Sequence, residues 1–162
     1  MKQLMLMRHG KSDWNYGLDD FDRPLANRGR ADAPKVAQEI IPILPSPIVI
    51  QSSTARRAAD TALLVAAHIQ YPIDAIIWRD ELYTFDEIRL ESIVRSLDDD
   101  HENVILFGHN EAITNFVNKF GSIYIDNVPT CGFVSLVFEI SGWSQLKKGS
   151  IKNVVFPRDL KA

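Results

Sequence analysis

Apolar and polar positions along the chain fall into short runs of two kinds. Leu4-Met5-Leu6-Met7, entered through Lys2-Gln3, is an apolar run of strand length that opens into Arg8-His9-Gly10, which predicts a buried strand ending in a loop. Asp13 to Pro24, with Gly17 and a cluster of acids, reads as loop. From about Asn27 to Leu44 the residues Ala33, Val36, Ala37, Ile40, Ile41 and Leu44 recur as a helical stripe, with Pro34 in its first turns and Pro42 near its end. Ile48-Val49-Ile50 predicts a second buried strand, and the alanine-rich stretch Ala55 to Ile69 a helix for which Ser53 or Thr54 is the expected N-cap. Ile76-Ile77-Trp78 predicts a third strand and Asp86 to Leu97 a helix. Val104 to Phe107 predicts a strand ending at Gly108-His109-Asn110, followed by a helix from about Glu111 to Phe120. The remainder is β-rich, Phe133 to Ile140 and Ser150 to Phe156, around a turn containing Gly142. Strands alternating with helices argue for an α/β domain with a largely parallel sheet and helices on both faces.

Composition narrows the class. The chain has 162 residues, no internal repeat, no low-complexity tract and no linker, which predicts a single domain over 1–162. Hydrophobic residues at 46% and charged residues at 24% exclude disordered and fibrous architectures. A net charge of −3 offers no global attraction for nucleic acid or anionic lipid, so neither is an expected partner. Cys131 is alone, and His9, His68, His101 and His109 form no paired metal-ligand spacing, so no metal and no cofactor are expected. The most hydrophobic segment, Ile40 to Ile50, is broken by Pro42, Pro45 and Pro47 and does not read as a membrane span; the apolar run before Arg8 is too short for a signal peptide. A cytoplasmic monomer is the expectation.

Chemistry is expected at the strand ends. In open α/β sheets ligands bind beyond the carboxyl ends of the strands. Three such ends carry polar residues here: Arg8 to Ser12, Ser53 to Arg57, and Gly108-His109-Asn110. Two histidines and at least two arginines are thereby predicted to converge on one pocket. A guanidinium fork binds phosphoryl oxygens bidentately, helix N-termini add oriented N–H groups, and histidine attacks phosphorus as a nucleophile. His68 and His101 read as surface residues, and Asp19, Asp20 and Asp22 as a solvated loop.

The blocks at those ends resemble a known family. Arg8-His9-Gly10-Lys11-Ser12-Asp13-Trp14-Asn15 is similar to the R-H-G-x-S-x-x-N signature of the histidine phosphatase (phosphoglycerate mutase-like) superfamily. Ser53-x-x-x-Arg57-Ala58-x-x-Thr61 resembles its second phosphate-binding segment, and Gly108-His109-Asn110 its late G-H motif. Arg23-Pro24-Leu25 with Arg28-Gly29, and the short chain, resemble the compact SixA-like phosphohistidine phosphatases. One departure is Thr54, where many relatives have proline.

The resemblance implies a three-layer α/β/α sandwich with a mostly parallel central sheet, phosphoglycerate mutase-like. It implies that His9 is a transiently phosphorylated nucleophile, that Arg8, Arg57 and His109 form the phosphate pocket, and that Ser12, Asn15 and Ser53 assist phosphate binding. Glu81, just after the third predicted strand, is a candidate general acid, with a structural carboxylate as the competing reading. Mutase-type members carry a longer insertion after the second block. Its shortness here favours an open site that admits a protein surface. The implied activity is a metal-independent phosphatase acting on phosphohistidine in a phosphorelay protein, such as a histidine phosphotransfer domain. A small-molecule phosphomonoesterase or mutase, acting on a small phosphate ester, stays open as the alternative, as does a catalytically silent phosphoprotein-binding module.

Overall fold

The computed structural model describes residues 1–14 and 17–160. Among these, six strands form one sheet: β1 (Lys2–Arg8), β2 (Val49–Ser53), β3 (Ile77–Arg79), β4 (Asn103–Gly108), β5 (Phe133–Phe138) and β6 (Ser150–Val155). Their order is β3-β2-β4-β1-β5-β6. β1, β2, β3 and β4 pair in parallel, whereas β5 runs antiparallel to both β1 and β6. Four helices cover the sheet: α1 (Asn27–Ile40), α2 (Arg56–Ile69), α3 (Glu87–Arg95) and α4 (Ala112–Phe120).

The near-continuous apolar runs of the central strands are what a sheet buried on both faces requires. Side chains alternate across the pleat. Met5, Met7, Ile105 and Phe107 therefore pack with Ala33, Val36 and Ala37 of α1 and Ala62, Val65 and Ala66 of α2. Leu4, Leu6, Val104 and Leu106 face the other way, onto Leu90, Ile93 and Val94 of α3 and Phe116, Val117 and Phe120 of α4. The small residues along α1 and α2 let those helices lie close to the sheet and to each other. The result is the expected α/β/α sandwich, its antiparallel hairpin β5–β6 forming one edge.

Two local expectations differ. α1 ends at Ile40 rather than Leu44, and residues Ile41–Ile43 tighten into a 3-10 turn. Pro42 has no N–H to donate, so the i to i−4 hydrogen-bond ladder of α1 cannot continue through it. α2 takes Ala55 as its N-cap with no side-chain bond, because Ser53 and Thr54 direct their hydroxyls elsewhere. No helix among the described residues is long and apolar enough to cross a membrane.

Candidate active site

β1 and β4 lie side by side in parallel, with Arg8 opposite Gly108, so both strands end at the same level. The residues that follow emerge together: the His9 amide donates to Gly108 O at 3.1 Å, and the His9 and His109 ring centroids are 5.2 Å apart. β2 ends beside β4 and leads directly into α2, whose first turn carries Arg57. Thr61, one turn further, accepts the Gly10 N–H on Oγ1 at 2.9 Å and donates to Arg57 O at 2.7 Å. That single hydroxyl ties the loop after β1 to the helix after β2. Arg8, His9, Arg57 and His109 are thus brought together by three strand ends.

Hydrogen bonding fixes the state of His9. Its Nδ1 lies 2.7 Å from Gly10 O, and since a carbonyl only accepts, Nδ1 carries the proton. Nε2 is left with its lone pair, and Arg57 Nε points at it from 3.4 Å. Burial, followed by the charges of Arg57, Arg8 and Arg23, lowers the ring to about 3, against the opposing effect of the Gly10 carbonyl. His9 is therefore a neutral imidazole with an available nitrogen, which is the nucleophilic form.

His109 is held from behind. Its Nε2 is 2.9 Å from Ser53 Oγ, and that oxygen already accepts the Ala55 N–H at 3.2 Å. A hydroxyl oxygen has one proton and two lone pairs, so this contact couples the Ser53 hydroxyl rotor to the His109 tautomer, one of the two atoms donating to the other. Nδ1 is buried and has no hydrogen-bond partner among the described residues. Tyr83 and Phe85 pack edge-on against the ring, with centroids 5.2 and 5.6 Å away. Burial, then the proximity of His9 and Arg57, lowers His109 to about 2.

In front of His9 opens a cleft of about 300 Å³, lined by Arg8, Lys11, Ser12, Trp14, Arg23, Arg57, Phe85 and Asn110 among others. Ser12 takes part indirectly, its hydroxyl accepting from Arg23 Nη1. The Arg23 guanidinium lies 3.5 Å over the Trp14 ring. A carboxylate also sits in the cleft. Asp20 Oδ2 accepts from Arg57 Nη2 at 2.9 Å, Oδ1 from Arg23 Nη2 at 2.8 Å, and its main-chain oxygen from Arg57 Nη1 at 2.6 Å, while the Tyr83 hydroxyl also donates to Oδ2. Partial desolvation alone would raise the Asp20 carboxyl, but these hydrogen bonds from Tyr83, Arg23 and Arg57 hold it well below the usual carboxylate range.

Several expected positions fall elsewhere. Ser53 is fully buried behind His109 and does not reach the cleft. The side chains of a strand end alternate, and this one points to the histidine rather than into the cleft. Glu81 is exposed, pairs with Arg79 Nη2 at 3.2 Å, and lines a separate depression with Arg89, Ser92 and Ile93. Bonding to its own backbone amide and then to Arg79 lowers its carboxyl, so it is an anion outside the cleft rather than a proton donor within it. Asn15 lies outside the described residues. His68 is exposed on α2, and half-buried His101 accepts the Trp143 indole N–H on its carbonyl; neither lines the cleft. Sequence reasoning gave no pocket role to Arg23, Asp20, Tyr83 or Phe85. Only Arg23 left a signal, in the Arg23-Pro24-Leu25 block. Among the described residues no three His, Cys, Asp or Glu side chains are grouped to hold a metal; the cationic side chains that line the cleft are Arg8, Lys11, Arg23 and Arg57.

The model of the histidine phosphatase superfamily (branch 1) matches residues 4–83, which carry the first two of the three converging blocks. The chain belongs to this superfamily. A candidate SixA phosphohistidine phosphatase from Agrobacterium tumefaciens superposes on this histidine phosphatase with a TM-score of 0.73 at 26% identity, covering 83% of this chain and 90% of the other. The protein histidine phosphatase SixA complexed with tungstate superposes at 0.82 and 18% identity over 98% and 99% of the two chains. A mycobacterial glucosyl-3-phosphoglycerate phosphatase shares the fold at a TM-score of 0.67 and 17% identity, over 93% and 96%. In sequence, an uncharacterized chloroplastic protein of Arabidopsis thaliana is 41% identical over 69 residues, 42% of this chain but only 32% of that relative's length. The histidine phosphatase fold is thus shared by solved phosphohistidine and sugar-phosphate phosphatases.

Proposed function

We propose that the chain is a phosphohistidine phosphatase that works through a phosphoryl group carried transiently on His9. The observation that carries this reading is the neutral His9 ring, its Nδ1 donating to Gly10 O and its Nε2 lone pair facing the arginine-lined cleft. In the first step Nε2 attacks phosphorus as the bond from phosphorus to the substrate ring nitrogen breaks; the electron pair stays on that nitrogen, and with the substrate ring protonated on its other nitrogen the group that departs is neutral imidazole. In the second, water attacks the phosphoryl group on His9, releasing inorganic phosphate and restoring the neutral ring. Arg8 and Arg57, with Arg23, offset the negative charge of the transferring group, and the His109 ring packs beside His9 with its centroid 5.2 Å away.

The acids around the cleft favour phosphohistidine over an ester. An ester expels an alkoxide, a strong base that needs a proton in the transition state. Asp20 is held as an anion by two arginines, and Glu81 lies outside the cleft with its carboxyl lowered by its neighbours. Imidazole, whose conjugate acid has a pKa near ~6.5, leaves with far less assistance. The open cleft and the exposed Trp14 and Phe85 at its rim suit a phosphohistidine presented on a protein surface, as on a histidine phosphotransfer domain.

The test compares kcat/KM for a phosphorylated histidine phosphotransfer protein and a panel of small phosphate esters, in the wild type and in Glu81→Gln. The expected result is a wild-type preference for phosphohistidine and a Glu81→Gln effect below about tenfold on either substrate class. Fast ester turnover that Glu81→Gln lowers by roughly 10² to 10⁴, the contribution of a general acid, would assign the protein to small-molecule phosphate esters instead.

A further inference from the structure

We propose that Asp20 is an intramolecular counter-anion that competes with the phosphoryl group for Arg57 and Arg23 and so sets how readily the cleft releases phosphate. This rests on reading the cleft as a phosphoryl site. Arg57 engages Asp20 through both ends of its fork, Nη1 to the main-chain oxygen at 2.6 Å and Nη2 to Oδ2 at 2.9 Å, while Arg23 Nη2 takes Oδ1 at 2.8 Å. These are the donors a phosphoryl group would use, because planar guanidinium forks match carboxylate and phosphoryl oxygens alike.

The arginines divide into two kinds. Arg8 makes no bond to Asp20; its Nη1 donates to Val128 O at 3.0 Å, fixing it to the protein frame. Arg57 Nε is directed at His9 Nε2 from 3.4 Å, so the terminal nitrogens of its fork are the ones that engage Asp20. Arg57 is fully buried and Arg23 nearly so, whereas the Asp20 side chain is 39% exposed on a short turn, Asp20–Asp22. The cations are therefore fixed and the carboxylate is the partner with room to move into water. A phosphoryl dianion brings more charge and more acceptor oxygens to the same donors and displaces it. When inorganic phosphate leaves, the carboxylate returns to the vacated guanidiniums, so departure does not strand buried positive charge. Such a site holds phosphate more weakly than its arginines alone would, and turns over in cytosol-like phosphate concentrations with little product inhibition.

A brace that merely holds the arginines in place predicts the opposite sign, and this separates the two roles. The inhibition constant of inorganic phosphate would be measured by competition, and its dissociation constant by calorimetry, for the wild type, Asp20→Asn and Asp20→Ala. Asp20→Asn keeps the shape and the Tyr83 hydrogen bond while removing the charge. The expected result is phosphate binding tighter by roughly tenfold or more in both variants, with KM for the phosphorylated substrate falling in parallel. Phosphate affinity that is unchanged or weakened would overturn the role given to Asp20. A measurement on the wild type alone is independent of how the variants fold: the Asp20 carboxyl carbon, followed by NMR, should titrate nearer the ordinary carboxylate range with saturating phosphate than without it. An unaltered titration would contradict displacement. Wild-type protein that binds no phosphate at all would instead contradict the phosphoryl-transfer reading on which the proposal rests.

Discussion

Ser53 has no contact with solvent, yet its hydroxyl is the hydrogen-bond partner of His109 Nε2 and is coupled to the tautomer of that ring. Replacing it by alanine leaves a buried ring nitrogen without a partner, a loss of about 1–3 kcal/mol in stability. It also frees the ring to change tautomer. Ser53→Ala should show that loss in urea unfolding, together with a changed pattern of His109 ring ¹⁵N shifts and a lower kcat/KM. Unchanged shifts and stability would mean that Ser53 does not set the tautomer. At this scale the sequence was partly legible. Arg8, His9, Arg57 and His109 could be placed together because each follows a strand end or opens a helix, where backbone geometry dictates where side chains go. Ser53 occupied an expected position but its side chain points to the other side, a choice that alternates residue by residue along a strand. Asp20 was illegible because nothing in an irregular acidic loop has a period that would fix a direction.

Helix α1 acts on the site through a glycine. A Cβ built on Gly29 would come within 2.4 Å of Lys11 O and 2.9 Å of Lys11 N, so the first turn of α1 rests directly on the backbone that follows His9 and Gly10. Gly29→Ala must push the two apart. Overpacking of this kind costs about 1–3 kcal/mol, and for a chain of this size each kcal/mol lowers Tm by about 2–4 °C. Thermal unfolding should show that decrease and steady-state assays a fall in kcat, since the displaced loop carries His9. An unaltered Tm would show that the contact relaxes freely. The elements themselves were well marked by hydrophobic period and length. Their ends were less so: α1 stops before Pro42, and α2 begins after Ala55 because the hydroxyls expected to cap it are engaged by His109 and Asp80.

For the whole molecule, two buried neutral histidines tie stability to pH. The unfolded chain protonates its histidines near ~6.5, whereas folded His9 and His109 resist protonation down to about 3 and about 2. Between those limits the unfolded state binds more protons, so stability falls as pH falls from about 6.5 towards 3. The urea midpoint should therefore decrease on acidification from pH 7 to pH 4, and less steeply in His9→Asn. Equal slopes in the two proteins would show that His9 is not a buried neutral base. The α/β/α layering was legible because strands buried on both faces leave runs that no other architecture uses as economically. The antiparallel direction of β5 was not, since a β-rich tail carries no mark of its orientation until it pairs.

The account rests on His9 Nε2 as the atom that receives the phosphoryl group. The direct measurement is to mix the protein with a ³²P-labelled phosphohistidine protein, quench in alkali within the first turnover, and map the label by mass spectrometry. The account predicts an acid-labile, alkali-stable phosphoryl group on Nε2 of His9 and not on Nδ1, which is committed to Gly10 O. It also predicts that His9→Ala neither traps label nor turns over. Label found on another side chain, or a His9→Ala variant that keeps most of its turnover, would contradict it.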